Sequence, residues 1–433
     1  MAGLTTILGR KITKVYPQVS VSIATTTTRM SDMLNIEQPF TGKYALSHLG
    51  FRPFFLAATA FAVIVMVLWA GIYGFGWHSL PVGYPAISWH AHEMIFGYSL
   101  AVVAGFLLTA IKNWTNQQTL HELPLLVLVG VWTAARVLPF TGLPLVVTAV
   151  VDCIFSLWLA LVVARPIIRV KQWQHAALAG KVALLAVTNI VYYWGLLSQS
   201  AVILQVGLYS GFYLVLSIIF TMGRRVIPFF IERGVGCPFE AKNDVWIDRS
   251  SMVLFFIFAV ADVIFIATGN ELASLITAIL AVIQVLVHSV RLIGWYHPNL
   301  WEKSLLWVLY LGYLWLILGF LMKFLTIALH VSPWVAVHAF AYGGIGMITI
   351  GMMARVALGH TGRNVFEPPA VLIAVFLLLF SGAFIRVFNV WIVPEFYDIW
   401  ILTTQFLWIS AFVIFLWCYA PMLVKPRVDG RYG

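Results

Sequence analysis

One pattern restricts this chain more than any other. Twelve apolar runs, each long enough to cross a bilayer, alternate with short polar connections. They lie at 52–75, 88–111, 122–139, 142–164, 174–195, 200–222, 251–268, 271–292, 304–329, 333–356, 367–389 and 397–421. In hydrocarbon a segment of about 20 residues must satisfy its backbone internally, which an isolated span does only as a helix. The expected fold is therefore all-α: a polytopic membrane bundle of about 12 transmembrane helices. Composition agrees, because 62% of the 433 residues are hydrophobic and 10% are charged, against about 25% charged in soluble domains. The 18 tryptophans suit residues that anchor at the lipid–water boundary.

The formal charge of +10 invites a nucleic-acid reading, but its placement argues for topology. Connections after runs 1, 3, 5, 7, 9 and 11 contain no lysine or arginine, whereas the opposite side holds Lys112, Arg165, Arg169, Lys171, Arg224, Arg225, Arg233 and Lys242 among others. The excess of positive charge marks the cytoplasmic side, so both termini are expected there and no nucleic-acid partner is expected. Residues 1–45 form a polar, basic cytoplasmic tail without the apolar core of a signal peptide. Residues 46–425 form one transmembrane domain and 426–433 a second cytoplasmic tail. Cys153, Cys237 and Cys418 lie too far apart in sequence for a disulfide framework or a zinc motif. Neither a phosphate-cradling loop nor a nucleophile motif appears in the required context.

Ionisable groups inside lipid are costly and point to function. The stretch WHAHEMIFGY, residues 89–98, places His90, His92 and Glu93 at the outer end of the second run. Residues two apart on a helix differ by about 200° in direction, so His90 and His92 face opposite flanks and serve different partners. Glu93 is placed to orient a histidine, carry a proton or bind a metal. Below His90 run Met94, Gly97, Ala101 and Gly105, a face that suits either a planar macrocycle or close helix packing. The tenth run holds His338 at the same outer level, above Gly343, Gly344, Gly346 and Gly351. His360 follows 22 residues later, about 33 Å along a helix, and belongs to the inner face with His48, His288 or Arg355. Arg355, Arg224 and Arg225 stand at inner helix ends, suited to propionates, lipid phosphates or simple anchoring. Asp152, Lys181, Asp262, Lys323 and Arg386 fall inside runs, as a proton path or as buried ion pairs.

The blocks GFRPFFL (50–56), WHAHEMIFGY (89–98), GFLLTAIKNWT (105–115), RRVIPFF (224–230) and MMARVALGHTGR (352–363) resemble the NnrS family over nearly the whole membrane portion. The resemblance implies a haem- and copper-containing protein of the bacterial inner membrane that accompanies denitrification and nitric oxide stress. The family's histidines match at His90, His92, His338 and His360, and its glutamate at Glu93. Imidazole serves both haem iron and copper. His90, His92 and His338 are therefore the expected ligands of a b-type haem and of a second centre, copper or non-haem iron. Glu93 is the expected proton carrier, and His360 with Arg355 an inner haem or quinol site. The expected activity is reduction of nitric oxide to nitrous oxide with quinol-derived electrons. The alternatives are a non-catalytic haem/copper protein for sensing or protection, and a secondary transporter. No internal six-plus-six repeat supports the last.

Overall fold

The computed structural model describes residues 42–81 and 83–433. Most of the expected N-terminal tail, residues 1–41, lies outside the described residues. Helix makes up 81% of the described residues, which contain twelve helices long and apolar enough to span a membrane. They are α1 (Phe51–Gly74), α2 (Ala86–Thr115), α3 (Glu122–Phe140), α4 (Leu145–Arg169), α5 (Trp173–Leu197) and α6 (Ala201–Gly234). The second half comprises α7 (Val245–Thr268), α8 (Glu271–Gly294), α9 (Ser304–Ala328), α10 (Pro333–His360), α11 (Val371–Ile392) and α12 (Pro394–Val424). The chain is thus a multi-pass membrane protein.

One boundary differs materially from the sequence pattern. The apolar run of the sixth span ends near 222, yet α6 continues through Pro228 to Gly234, which leaves 235–244 as the connection to α7. The continuation is amphipathic. Ile227 and Ile231 are buried while Phe229 is exposed, and burying one stripe stabilises a helix beyond the lipid.

Helices adjacent in sequence pack against one another, and α1 closes the arrangement by packing on both α2 and α12. Burial separates the centre from the rim. In α2 and α10, 83% and 78% of the most apolar window is buried, against 28% in α7. The two helices carrying the outer histidines are therefore enclosed by protein, while α7 presents most of its surface outward. Close approach of α5 to α6 depends on glycine. A Cβ on Gly207 would stand 2.4 Å from the Tyr192 backbone nitrogen, and one on Gly195 would stand 2.2 Å from that of Leu204. Small residues permit such contact in membrane helix pairs. Here it sets Asn189, Tyr192 and Tyr193 of α5 against α2.

Four π-helical stretches interrupt the α geometry: Ala70–Gly74, Glu93–Ser99, Ala339–Gly346 and Ile385–Asn389. A π-turn adds a residue and rotates the remainder of its helix, and such turns often accompany functional sites. Each of the four contributes a wall residue to one cavity: Tyr73, Met94, Tyr342 and Arg386 respectively.

Candidate functional site

That cavity, about 170 Å³, lies at the ends of α1, α2, α10, α11 and α12 away from the lysine- and arginine-bearing connections, the side expected to be outer, and contains both His90 and His338. It reaches the surface at Tyr73, Ile87 and Trp334, which are exposed. The His90 ring stacks on Trp69 with centroids 4.4 Å apart and planes 6° from parallel. Its Nδ1 is buried and has no hydrogen-bond partner. The His338 ring is oriented by two bonds of opposite sense. Nδ1 lies 2.7 Å from the Trp334 carbonyl, one helical turn back, and a carbonyl can only accept, so Nδ1 carries the proton. Arg386 Nη2 lies 3.1 Å from Nε2, and a guanidinium can only donate, so Nε2 presents its lone pair. A ring whose Nδ1–H is held by a carbonyl, with Nε2 unprotonated, has the tautomer of a metal ligand, and the Nε2 lone pair here accepts from Arg386.

Among the described residues Arg386 makes no ion pair with a carboxylate. No aspartate or glutamate lines the cavity, and Arg386 Nη1 is buried without a partner. A buried cation with no anion is destabilising, so the cavity is chemically incomplete. It favours a ligand that brings negative charge and accepts an imidazole lone pair. The donor set is two imidazoles with the thioethers of Met66 and Met94. That set suits haem iron or soft copper and does not suit hard cations.

His92 occupies a different environment on the opposite flank of α2. It is fully buried and stacks on Tyr192, with centroids 4.3 Å apart. Its Nδ1 lies 3.2 Å from Glu93 Oε1, and its Nε2 lies 2.9 Å from Asn189 Oδ1 and 3.4 Å from Asp152 Oδ2. Arg136 bridges both carboxylates, 2.7 Å to Glu93 Oε2 and in direct contact with Asp152. Asn189 Nδ2 and Tyr193 Oη donate to Asp152 Oδ2 at 3.2 and 3.1 Å. Both ring nitrogens of His92 thus face side-chain oxygens, and Arg136 faces both carboxylates, so each member of the cluster has a polar partner.

The geometry departs from two expectations and decides between two readings of the glycine faces. His90 and His338 come together, but His92 does not join them, and among the described residues no group of three or more His, Cys, Asp or Glu side chains could hold a metal ion. The reason is the helical angle between residues 90 and 92, which sends the rings to opposite sides. Glu93, expected as a proton carrier for the site, is turned away from the cavity and engaged by Arg136 and His92. The glycine faces, offered to a planar ring or to helix packing, are filled by side chains. A Cβ on Gly343 would meet Trp315 at 2.4 Å, one on Gly344 would meet Leu316 at 2.2 Å, and one on Gly105 would meet Phe55 at 2.8 Å. Gly97 has moved to the His92 flank, where a Cβ would meet Phe61 at 2.7 Å and Glu93 Oε2 at 2.9 Å. The π-turn at Glu93–Ser99 supplies the rotation that parts Gly97 from His90.

The inner residues are likewise separated from one another. His360 packs its ring 5.5 Å from Phe51, and its carbonyl accepts from Arg427 Nη1 at 3.0 Å. Arg355 stands over the Phe230 ring at 3.8 Å and lines another cavity that His360 does not. The in-span charges are mostly paired. Lys323 Nζ is 2.6 Å from Asp262 Oδ1, Tyr213 Oη donates to Asp262 Oδ2 at 2.5 Å, and Lys181 donates to the Ser217 carbonyl at 3.1 Å. Arg136 and Asn189 were not among the residues singled out by sequence. For Arg136 a signal existed: it is an arginine at the end of a span whose outer connection carries no other positive charge. Asn189 and Tyr193 gave none, since their role arises from the approach of α5.

A family model described as NnrS protein matches residues 45–427. The chain belongs to the NnrS family. NnrS proteins are linked to the nitric oxide response and are generally haem- and metal-associated. The match covers all twelve spans. No curated relative matches the chain.

Proposed function

We propose that this NnrS protein holds a haem in the outer cavity, binds nitric oxide there and reduces it to nitrous oxide with electrons drawn from quinol at the bacterial inner membrane. One observation carries the proposal. Two imidazoles, one with its tautomer fixed by a backbone hydrogen bond, share a cavity with an arginine that has no carboxylate partner among the described residues. His338 and His90 would hold the iron, and Arg386, which now donates to His338 Nε2, would turn to a propionate and free that nitrogen. Bound there, haem iron supplies reversible one-electron chemistry and a coordination position for a diatomic gas. Trp69 holds the His90 ring in place, and the aromatic wall limits water. Nitric oxide is small and apolar, so it enters from the bilayer without a polar channel. Reduction converts two nitric oxide molecules, two electrons and two protons into one nitrous oxide and one water. In the cavity wall the hydroxyls of Tyr73, Tyr98, Tyr342 and Tyr397 are the protonatable groups for that supply, in place of Glu93.

A second reading, binding of nitric oxide for sensing or protection without turnover, is favoured by the lack of a carboxylate in the cavity wall. The two separate in one experiment. The purified protein is assayed for haem by pyridine haemochrome and for copper and iron by elemental count. It is then given nitric oxide and a reduced quinol under anaerobic conditions. Nitrous oxide formation with haem present supports reduction. A nitrosyl spectrum without nitrous oxide supports binding alone, and a colourless preparation that takes up no added haem refutes both.

A further inference from the structure

A second cavity, about 250 Å³, lies at the opposite, basic face of the bundle. Four helix ends converge on it: Gly234 at the end of α6, Ser304–Trp307 at the start of α9, Arg355 near the end of α10, and Ala370–Ile373 at the start of α11. Its charged wall residues are Lys303, Arg355 and Glu302, so positive charge exceeds negative. Among the described residues neither Arg355 nor Lys303 makes an ion pair. The Arg355 guanidinium instead lies against the Phe230 face, an arrangement that fixes its position while leaving its donors uncommitted. Helix α9 begins at Ser304 without a side-chain cap; the Lys303 carbonyl accepts from the N–H groups of Leu306 and Trp307, which leaves those of Ser304 and Leu305 at the cavity wall. Trp301 and Phe366, both exposed, stand at its rim.

We propose that this cavity binds the phosphate of an anionic lipid headgroup, with Arg355 and Lys303 as its cationic partners. Three properties favour a lipid over a soluble anion. The cavity sits between transmembrane helices on the face where lysine and arginine gather, which is where anionic headgroups are most often held. Its rim offers tryptophan and phenylalanine at the level where aromatic rings meet acyl chains. Its wall is mixed, with apolar Leu305, Leu306 and Ile373 beside the charges, as a diester carrying chains requires. The site is independent of the outer haem reading, since no histidine lines it.

The full-length protein, purified and stripped of lipid, is reconstituted in nanodiscs of zwitterionic phosphatidylcholine or of phosphatidylcholine with phosphatidylglycerol. Bound lipid retained on extraction is counted by native mass spectrometry. Wild type is expected to retain phosphatidylglycerol in preference to phosphatidylcholine. Arg355→Gln and, separately, Lys303→Gln are each expected to weaken that retention by about five-fold, while the helical circular dichroism stays unchanged. Ser198→Ala, at an exposed position between α5 and α6 on the face away from the cavity, controls for general effects of substitution. Equal retention of the two lipids by wild type, or undiminished preference in both variants, overturns the proposal. Displacement of the lipid by millimolar inorganic phosphate assigns the site to a free anion, and displacement by a short-chain quinone assigns it to a quinone headgroup. Either of these results also overturns it.

Discussion

His90 and His92 are close in sequence, with one residue between them, and opposite in physical character. His92 sits in a cluster where every group has a polar partner: its two nitrogens meet oxygen atoms, and Arg136 spans Glu93 and Asp152. His90 sits in a cavity where charge is unmatched: its Nδ1 has no partner, and Arg386 across the cavity has no anion. A satisfied polar cluster in a low-dielectric interior fixes helices in register and resists change. An unsatisfied one is costly unless a ligand completes it, and natural chains accept that cost chiefly at functional sites. A histidine in a membrane span is therefore assigned by the balance of groups around it. On that criterion His92 belongs to the scaffold and His90 to the site.

The contrast between the two flanks is tested most severely at Arg136. Arg136→Met leaves Glu93 and Asp152 buried with one fewer cation, and removing one partner of a buried pair costs about 3–5 kcal/mol. The variant should unfold at much lower temperature or fail to accumulate, as followed by thermal melting and yield in membranes. A melt unchanged from wild type would show that the cluster carries no structural role. Next in size is the difference between the two classes of histidine. His338→Gln is expected to lose at least about nine-tenths of bound haem by pyridine haemochrome, with the melting temperature of the apoprotein little changed. His92→Gln should do the reverse, keeping its haem while leaving Glu93 or Asp152 without a donor, a loss of about 1–3 kcal/mol. If His92→Gln lost haem as completely as His338→Gln, the division between scaffold and site would fail. The smallest effect is expected at Arg386. Arg386→Gln removes a buried charge that has no anion, so the ligand-free protein should gain about 1 kcal/mol, while its haem affinity falls. A variant destabilised with and without haem would mean that Arg386 has a protein counter-ion within the bundle.

Much of the bundle was legible from residue types. Twelve spans could be read because lipid leaves a backbone no partner but itself, so span length and apolarity fix the number of helices. The separation of His90 from His92 was equally legible, since it comes from the angle per residue. The pairing of His90 with His338 was half legible: both stand at the same depth, but depth does not bring two helices side by side. Arg136 was detectable as a lone positive charge at the wrong end of a span. The roles of Asn189 and Tyr193 were not, because they depend on how closely the glycines of α5 and α6 let the helices meet. The glycine faces of α2 and α10 left two readings open for a related reason. Small residues mark close approach without saying of what, and Trp315, Leu316 and Phe55 supplied the answer.

An all-helical, twelve-span membrane protein, with its charges sorted by side and its histidines sorted by depth, was written in the order of residues. These properties arise from interactions of each segment with lipid, water and its own backbone. Packing decided the rest: which histidine faces a cavity, which faces a matched cluster, and that Arg386 is left without an anion. Four π-turns rotate the helix faces around that cavity, and rotation and neighbour identity arise only when helices meet.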